Sequence, residues 1–123
     1  VLLYAGQERG VAHRPDLFDR DPVQWETGKD FTPFLRRLKQ IKEDPLLSDS
    51  RCTVQALPGQ VLLTTHEGQG RKIVGVFCVG GMGAEVPVPL SDGSYENLIT
   101  GESVQVTGGC LRTPGQPVIL EQK

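Results

Sequence analysis

The sequence is poor in aromatic residues, in pairable cysteines, in long apolar runs and in excess charge of either sign. Seven of its 123 residues are aromatic: Tyr4, Phe18, Trp25, Phe31, Phe34, Phe77 and Tyr95. That is too few for a row of stacking faces of the kind that holds single-stranded nucleic acid. Cys52, Cys78 and Cys110 are far apart, odd in number and contain no C-x-x-C pair, which excludes a zinc ribbon and a fully paired disulfide framework. Three unpaired thiols predict a reducing compartment, the cytoplasm. No apolar run approaches the roughly 18 residues of a membrane span, and Val1–Ala5 is too short and lacks the basic flank of a signal peptide. With 13 Lys+Arg against 15 Asp+Glu, the surface offers no phosphate-binding footprint. Neither nucleic acid nor membrane is an expected partner.

Glycine and proline, by contrast, are abundant. The 15 Gly and 9 Pro make up about a fifth of the chain, against a usual share of roughly 12%. So many breakers suit a turn-rich β domain better than a helix bundle. The apolar share of 37% is too high for disorder, and the length admits one domain, or one plus a piece of another.

Three regions follow in order. Val1–Ala5 is a continuous apolar run, the mark of a strand covered on both faces as in a parallel α/β sheet. Gly6-Gln7-Glu8 then places a carboxylate just beyond that strand's carboxyl end. Val1 is not Met and reads as part of a buried strand, so the chain is expected to continue upstream. A bare apolar strand of this kind would pair with another copy, making a homodimer an expected partner arrangement, or fold back over the helix. In the loop after it, Asp16, Asp19 and Asp21 lie among Arg9, Arg14 and Arg20, a solvated, salt-bridged setting that lowers carboxylate pKa values.

One helix is predicted from Phe31 to Glu43. Asp30 or Thr32 can cap it, Pro33 fits its first turn, and Phe31, Phe34, Leu35, Leu38 and Ile41 share a face. Asp44-Pro45 stops it, because the residue before a proline avoids the helical region. From Ser48 onward short apolar runs alternate with Gly/Pro turns. The predicted strands are Cys52–Leu57, Val61–His66, Ile73–Val79, Glu85–Val88, Tyr95–Ile99, Ser103–Val106, Gly109–Arg112 and Val118–Leu120. That spacing predicts a mainly β fold, an antiparallel sandwich or barrel. Ile73–Val79 is apolar on both sides and should be central. Pro87 and Pro89 place their strand at an edge, and Gly80-Gly81-Met82-Gly83 reads as a wide hairpin turn.

Several segments resemble the α-amylase family, glycoside hydrolase family 13. Leu3-Tyr4-Ala5-Gly6-Gln7-Glu8 resembles the end of that family's eighth barrel strand, and Asp21-Pro22-Val23-Gln24-Trp25 the segment before its last barrel helix. The run Phe34–Lys42 resembles that helix, with Asp44-Pro45-Leu46-Leu47 as its exit. Tyr95-Glu96-Asn97-Leu98-Ile99-Thr100-Gly101-Glu102 is similar to a hairpin of the family's terminal β-sandwich. The resemblance implies two parts: residues 1–47 as the strand, loop and helix that end a (β/α)8 barrel, and 48–123 as a Greek-key-type C-terminal β-sandwich of about eight short strands. It also implies an α-glucan substrate for the parent enzyme and the rest of the barrel as this chain's partner. The family's three catalytic carboxylates would all lie upstream of Val1, so no catalytic residue is assigned here. Calcium dependence and bond specificity would be set by the same missing parts, and no cofactor or metal is expected in this chain.

Gln7 and Glu8 are the candidate site residues, since barrel active sites collect at the carboxyl ends of the strands. The resemblance implies that Glu8 supports the floor of the site by hydrogen bonding; the plain alternative is a structural carboxylate paired with a neighbouring Arg. Trp25 offers a sugar-stacking face, but Val23 and Phe31 beside it favour a core plug between loop and helix. His13 and His66 have no second ligand at metal spacing, and nothing in the sequence sets a Ser or Cys beside either. Two other functions remain open at this stage: a non-catalytic sandwich that binds carbohydrate or a protein partner, and an oligonucleotide-binding barrel, which lacks the basic groove.

Overall fold

A computed structural model describes residues 3–14, 16 and 18–123. The chain forms two compact units, Val1–Gln40 and Ile41–Lys123.

In the first unit the strand expected at Val1–Ala5 is absent from the described residues. Val1 and Leu2 lie outside them, and Leu3 and Tyr4 are 56% and 58% exposed. The apolar run alone does not make a strand; its peptide groups need a neighbouring strand to bond. Here the Tyr4 N–H donates to the Gln7 side chain and the Tyr4 carbonyl accepts from the Gln7 N–H, so the run ends in a turn. Helix α1 (Thr32–Lys42) forms close to where its pattern predicts. The Asp30 carboxylate accepts from the Thr32 N–H at 3.0 Å, satisfying one of the donors a helix start leaves over. No residue of α1 is fully buried: along its apolar stripe Phe34 is exposed, and Leu35, Leu38 and Ile41 are half-buried. Trp25 does not plug the loop against the helix, being 54% exposed.

A second, five-residue helix, α2 (Pro45–Asp49), was not expected from the sequence. The same Asp44-Pro45 that stops α1 starts it: Asp44 caps the Leu46 N–H at 2.9 Å, and Pro45 takes the first position, where a missing N–H costs nothing. α2 packs on β2 and β3.

The sandwich has eight strands: β1 (Arg51–Leu57), β2 (Val61–Gly68), β3 (Arg71–Cys78), β4 (Ala84–Pro87), β5 (Gly93–Glu96), β6 (Ser103–Thr107), β7 (Cys110–Thr113) and β8 (Val118–Gln122). The first sheet has order β1-β2-β3-β8 and the second β4-β7-β6-β5, every pair antiparallel. The second order is a Greek key, a three-strand meander with the fourth strand returned beside its far end. Alternate residues meet between the sheets: Val61, Leu63, Val74, Val76, Val118 and Leu120 from one, Val86, Val106 and Leu111 from the other. β3 is central, as its two-sided apolar pattern predicts. β4 is an edge strand, with Pro87 and Pro89 on exposed positions between the buried Val86, Val88 and Leu90.

Two turns differ from expectation. Gly80–Gly83 is not a hairpin, because β3 and β4 belong to different sheets and the glycines carry the chain across. Glycine is required there by close approach: Gly115, at φ +109°, faces the Gly81 carbonyl well inside the distance a Cβ would need. The predicted strand Tyr95–Ile99 stops at Glu96, and Asn97–Thr100 turns instead. Asn97 explains the stop. It is 4% exposed, and its side-chain oxygen accepts from the N–H groups of Ile99 and Ile119, each at 3.1 Å. Its amide nitrogen donates to the Pro117 carbonyl at 3.3 Å. One carboxamide thus closes the β5–β6 turn and ties it to β8 of the other sheet.

Replacing Asn97 with Ala leaves two partly buried N–H groups without their acceptor, a loss of about 1–2 kcal/mol for each. The expected result for Asn97→Ala is a urea midpoint lowered by the equivalent of roughly 2–4 kcal/mol, measured by circular dichroism; an unchanged midpoint would refute the role.

Candidate functional site

The turn around Gln7 and Glu8 is built by its own side chains. Gln7–Arg9 form a short 3-10 turn bracketed by Gly6 at φ +92° and Gly10 at φ +63°, both in the left-handed region that glycine tolerates. The Gln7 side-chain oxygen accepts from the Tyr4 N–H at 2.8 Å, and the Glu8 carboxylate accepts from the Gly6 N–H at 3.0 Å. The Phe31 N–H donates to the Glu8 carbonyl at 2.7 Å, and the Thr27 hydroxyl donates to the Arg9 carbonyl. Gly6 is buried so tightly that an added Cβ would lie 2.9 Å from Val23 Cγ1. Glu8 therefore braces the turn through a backbone N–H.

Beside this turn is a cleft of about 250 Å³ lined by Tyr4, Gln7, His13, Asp16, Asp21 and Val23, among others. Asp21 accepts from His13 Nε2 at 2.7 Å and from the Asp16 N–H at 2.8 Å. Asp16 accepts from the N–H groups of Phe18 and Asp19. Both carboxyls are held below their usual range, Asp16 chiefly by the Phe18 N–H and Asp21 chiefly by the Asp16 N–H and then by His13. The direction agrees with the sequence reading, but the cause is backbone donors and a histidine. A carboxylate stabilised in this way holds its charge and is a poor proton donor.

Two further constellations come together in the second unit. Ser50 Oγ lies 3.1 Å from His66 Nδ1, a pairing that nothing in the sequence indicated, because 15 residues separate the two. The Ser50 hydroxyl donates to the Leu46 carbonyl, so its proton is committed at the end of α2 and the pair is not arranged as a nucleophile and its base. Arg71 binds Asp44 through two nitrogens, at 2.6 and 3.2 Å, and Glu121 through Nε at 2.8 Å. This guanidinium clamps α2, β3 and β8 together. Arg71 in the first place, then the Leu46 N–H, holds the Asp44 carboxyl below its usual range. Among the described residues, no group of three or more His, Cys, Asp or Glu side chains is placed to hold a metal ion.

An eight-strand, two-sheet antiparallel sandwich with a Greek key, following a helical segment in the chain, defines a β-sandwich domain. Residues 53–120 match the family model described as the bacterial alpha amylase C-terminal domain. The chain belongs to that family, whose members are domains of α-amylase-family glycoside hydrolases. An alpha-amylase from Lactobacillus plantarum matches 98% of this chain with a TM-score of 0.90 and 31% identity. An Anoxybacillus alpha-amylase (TM-score 0.72, 17% identity, 96% of this chain) and a maltogenic alpha-amylase from Thermotoga neapolitana (0.76, 14%, 98%) share the fold. The matches cover 29%, 28% and 32% of those three proteins, so the chain spans less than a third of their length. A comparison with curated protein sequences gave no match.

The Arg71 clamp has a pH signature. Asp44 has a folded-state pKa below its unfolded value of about 3.9, so its contribution is complete above about pH 4 and is lost as pH falls through the folded value. Arg71→Met is expected to lower the melting temperature at pH 7, because Asp44 and Glu121 lose their shared partner. The gap between the melting temperatures of Arg71→Met and the parent chain should narrow steadily below about pH 4. A gap constant from pH 7 to pH 2 would contradict the clamp.

Proposed function

We propose that this chain is the C-terminal part of a glycoside hydrolase acting on α-linked glucans, in which the β-sandwich stabilises the enzyme and takes no part in the chemistry. The observation that carries the reading is the likeness of nearly the whole chain, lead-in and sandwich together, to an alpha-amylase at 31% identity. The partner is then the enzyme's own barrel. The carboxylates support this reading too. A retaining glycosidase needs an acid with a raised pKa about 5–5.5 Å from a nucleophile, whereas Asp16, Asp21 and Asp44 are all shifted downward by hydrogen bonds. Gln7 and Glu8 take the role of support: they fix the turn that would stand at the carboxyl end of a barrel strand, through the Tyr4 and Gly6 N–H groups.

The alternative of a carbohydrate-binding module asks for exposed aromatic faces. The sandwich has two rings, Phe77 and Tyr95, both half-buried, and the Tyr95 hydroxyl is bonded to the Ser91 carbonyl. Nothing in its surface favours a glycan.

The test compares this chain with the complete polypeptide encoded by its gene. The pure 123-residue chain is expected to release no reducing sugar from soluble starch, and the complete polypeptide is expected to release it. Glu8→Ala in the complete polypeptide should lower kcat about tenfold or more, since displacement of a supporting element by an ångström is that costly, while the melting temperature changes little. Sugar released by the chain alone, or starch left intact by the complete polypeptide, would overturn the reading.

A further inference from the structure

The turn that carries Gln7 and Glu8 is too short to hold itself. Its own backbone bonds run from the Arg9 and Val11 N–H groups to the Gly6 carbonyl, at 3.0 and 3.1 Å, and from the Gly10 N–H to the Gln7 carbonyl at 3.0 Å. A single 3-10 turn leaves its last carbonyls without partners of their own. Those of Glu8 and Arg9 are both met from one distant segment, residues 27–31. Glu8 accepts from the Phe31 N–H at 2.7 Å, and Arg9 accepts from the Thr27 hydroxyl.

The two donors differ in kind. Phe31 stands just before α1, and its carbonyl accepts from the Leu35 N–H at 2.9 Å, so the start of the helix sets its place. The Thr27 hydroxyl belongs to a side chain and has to be aimed. The Lys29 N–H donates to Thr27 Oγ1 at 3.3 Å, which leaves the single hydroxyl proton for the Arg9 carbonyl. The two segments also approach too closely for a side chain between them. At Gly10, with φ +63°, an added Cβ would come within 2.8 Å of the Phe31 ring and 2.9 Å of Lys29. The one charged tie, Arg9 to Asp30 at 3.6 Å, joins side chains 41% and 51% exposed, and an ion pair so exposed contributes little. Thr27, half-buried, is thus the side chain on which this join depends.

We propose that Thr27 is a positioning residue: its hydroxyl, with the Phe31 N–H, clasps the Gln7–Arg9 turn to the start of α1 and fixes where Gln7 and Glu8 stand beside the cleft. The proposal rests on the reading of those two residues as supports of a glucan-acting site. Gln7 lines the cleft and Thr27 does not, so Thr27 acts through the turn.

Two variants test the clasp. Thr27→Val keeps the shape and removes the donor, whereas Thr27→Ser keeps the donor. In this chain, hydrogen–deuterium exchange of the Arg9, Gly10 and Val11 amides should be about fivefold faster in Thr27→Val, the shift that loss of one ordinary hydrogen bond gives. In Thr27→Ser it should stay close to that of the unsubstituted chain. In the complete polypeptide, Thr27→Val should lower kcat on soluble starch about tenfold, as a small displacement of a supporting element does. KM should hold within about twofold, and Thr27→Ser should restore kcat. Unchanged exchange in Thr27→Val would overturn the clasp whatever the activity. Faster exchange with kcat unchanged would overturn the positioning role and leave the enzyme reading standing. A raised KM at unchanged kcat would put Thr27 on the substrate and overturn the proposal as well. Faster exchange, in a chain whose complete polypeptide leaves starch intact, would uphold the clasp and refute the glucan-acting parent.

Discussion

The sandwich depends on a single buried carboxamide as much as on its apolar core. Valine and leucine side chains hold the two sheets face to face through non-directional burial, which fixes neither register nor the path of the chain between them. Asn97 supplies that direction. Its oxygen takes N–H groups from its own turn and from β8, and its nitrogen reaches the Pro117 carbonyl at the entrance to β8. Its backbone carbonyl accepts from Thr100 and Gly101, closing the turn from the other side. A buried amide costs free energy unless it is bonded, and this one finds these partners only when its turn and β8 are both in place. That condition makes the residue a specifier of one arrangement of the sheets.

The Arg71 clamp is the second join and differs in kind. It sits at the surface of the sandwich, where a guanidinium is less costly to hold, and it links α2 to β3 and β8 by charge. Asp44 serves two ends at once: one oxygen both caps the Leu46 N–H and accepts from Arg71, and the other accepts from Arg71 alone. The start of α2 and its seat on the sheet are therefore coupled. Loss of the cap loosens the helix that packs on β2 and β3.

The sandwich was legible because its signals are local. Gly and Pro mark the turns, period-two apolar runs mark the strands, and Pro87 with Pro89 declares an edge before any partner is known. Where the sequence misled, the deciding interaction was distant or absent. Val1–Ala5 has the composition of a buried strand, but Leu3 and Tyr4 have no neighbouring strand among the described residues and turn back on Gln7. Trp25 has the size of a core plug, yet burial depends on what surrounds a ring, and here little does. Ser50 meets His66 only because α2 returns the chain to β2, a contact no spacing rule reports. Tyr95–Ile99 has strand composition, and the demand of Asn97 for β8 outweighs that propensity after Glu96. At the candidate site the sequence located Gln7 and Glu8, but their work as acceptors for Tyr4 and Gly6 needed coordinates.

The distribution of polar bonding across the molecule bears on what kind of part this is. Enzyme sites keep some polar groups poised, with raised or lowered pKa values matched to a proton transfer. In this chain the shifted carboxyls run one way: Asp16, Asp21, Asp30, Asp44 and Asp92 are all held below their usual range, each chiefly by hydrogen-bond donors. Asp92 shows the pattern most plainly. Its two oxygens take the N–H groups of Gly108 and Gly109, both at 2.8 Å, in a two-residue turn whose positive φ angles favour glycine. These are carboxylates used as turn braces. Their charge is met by hydrogen bonds of the fold itself.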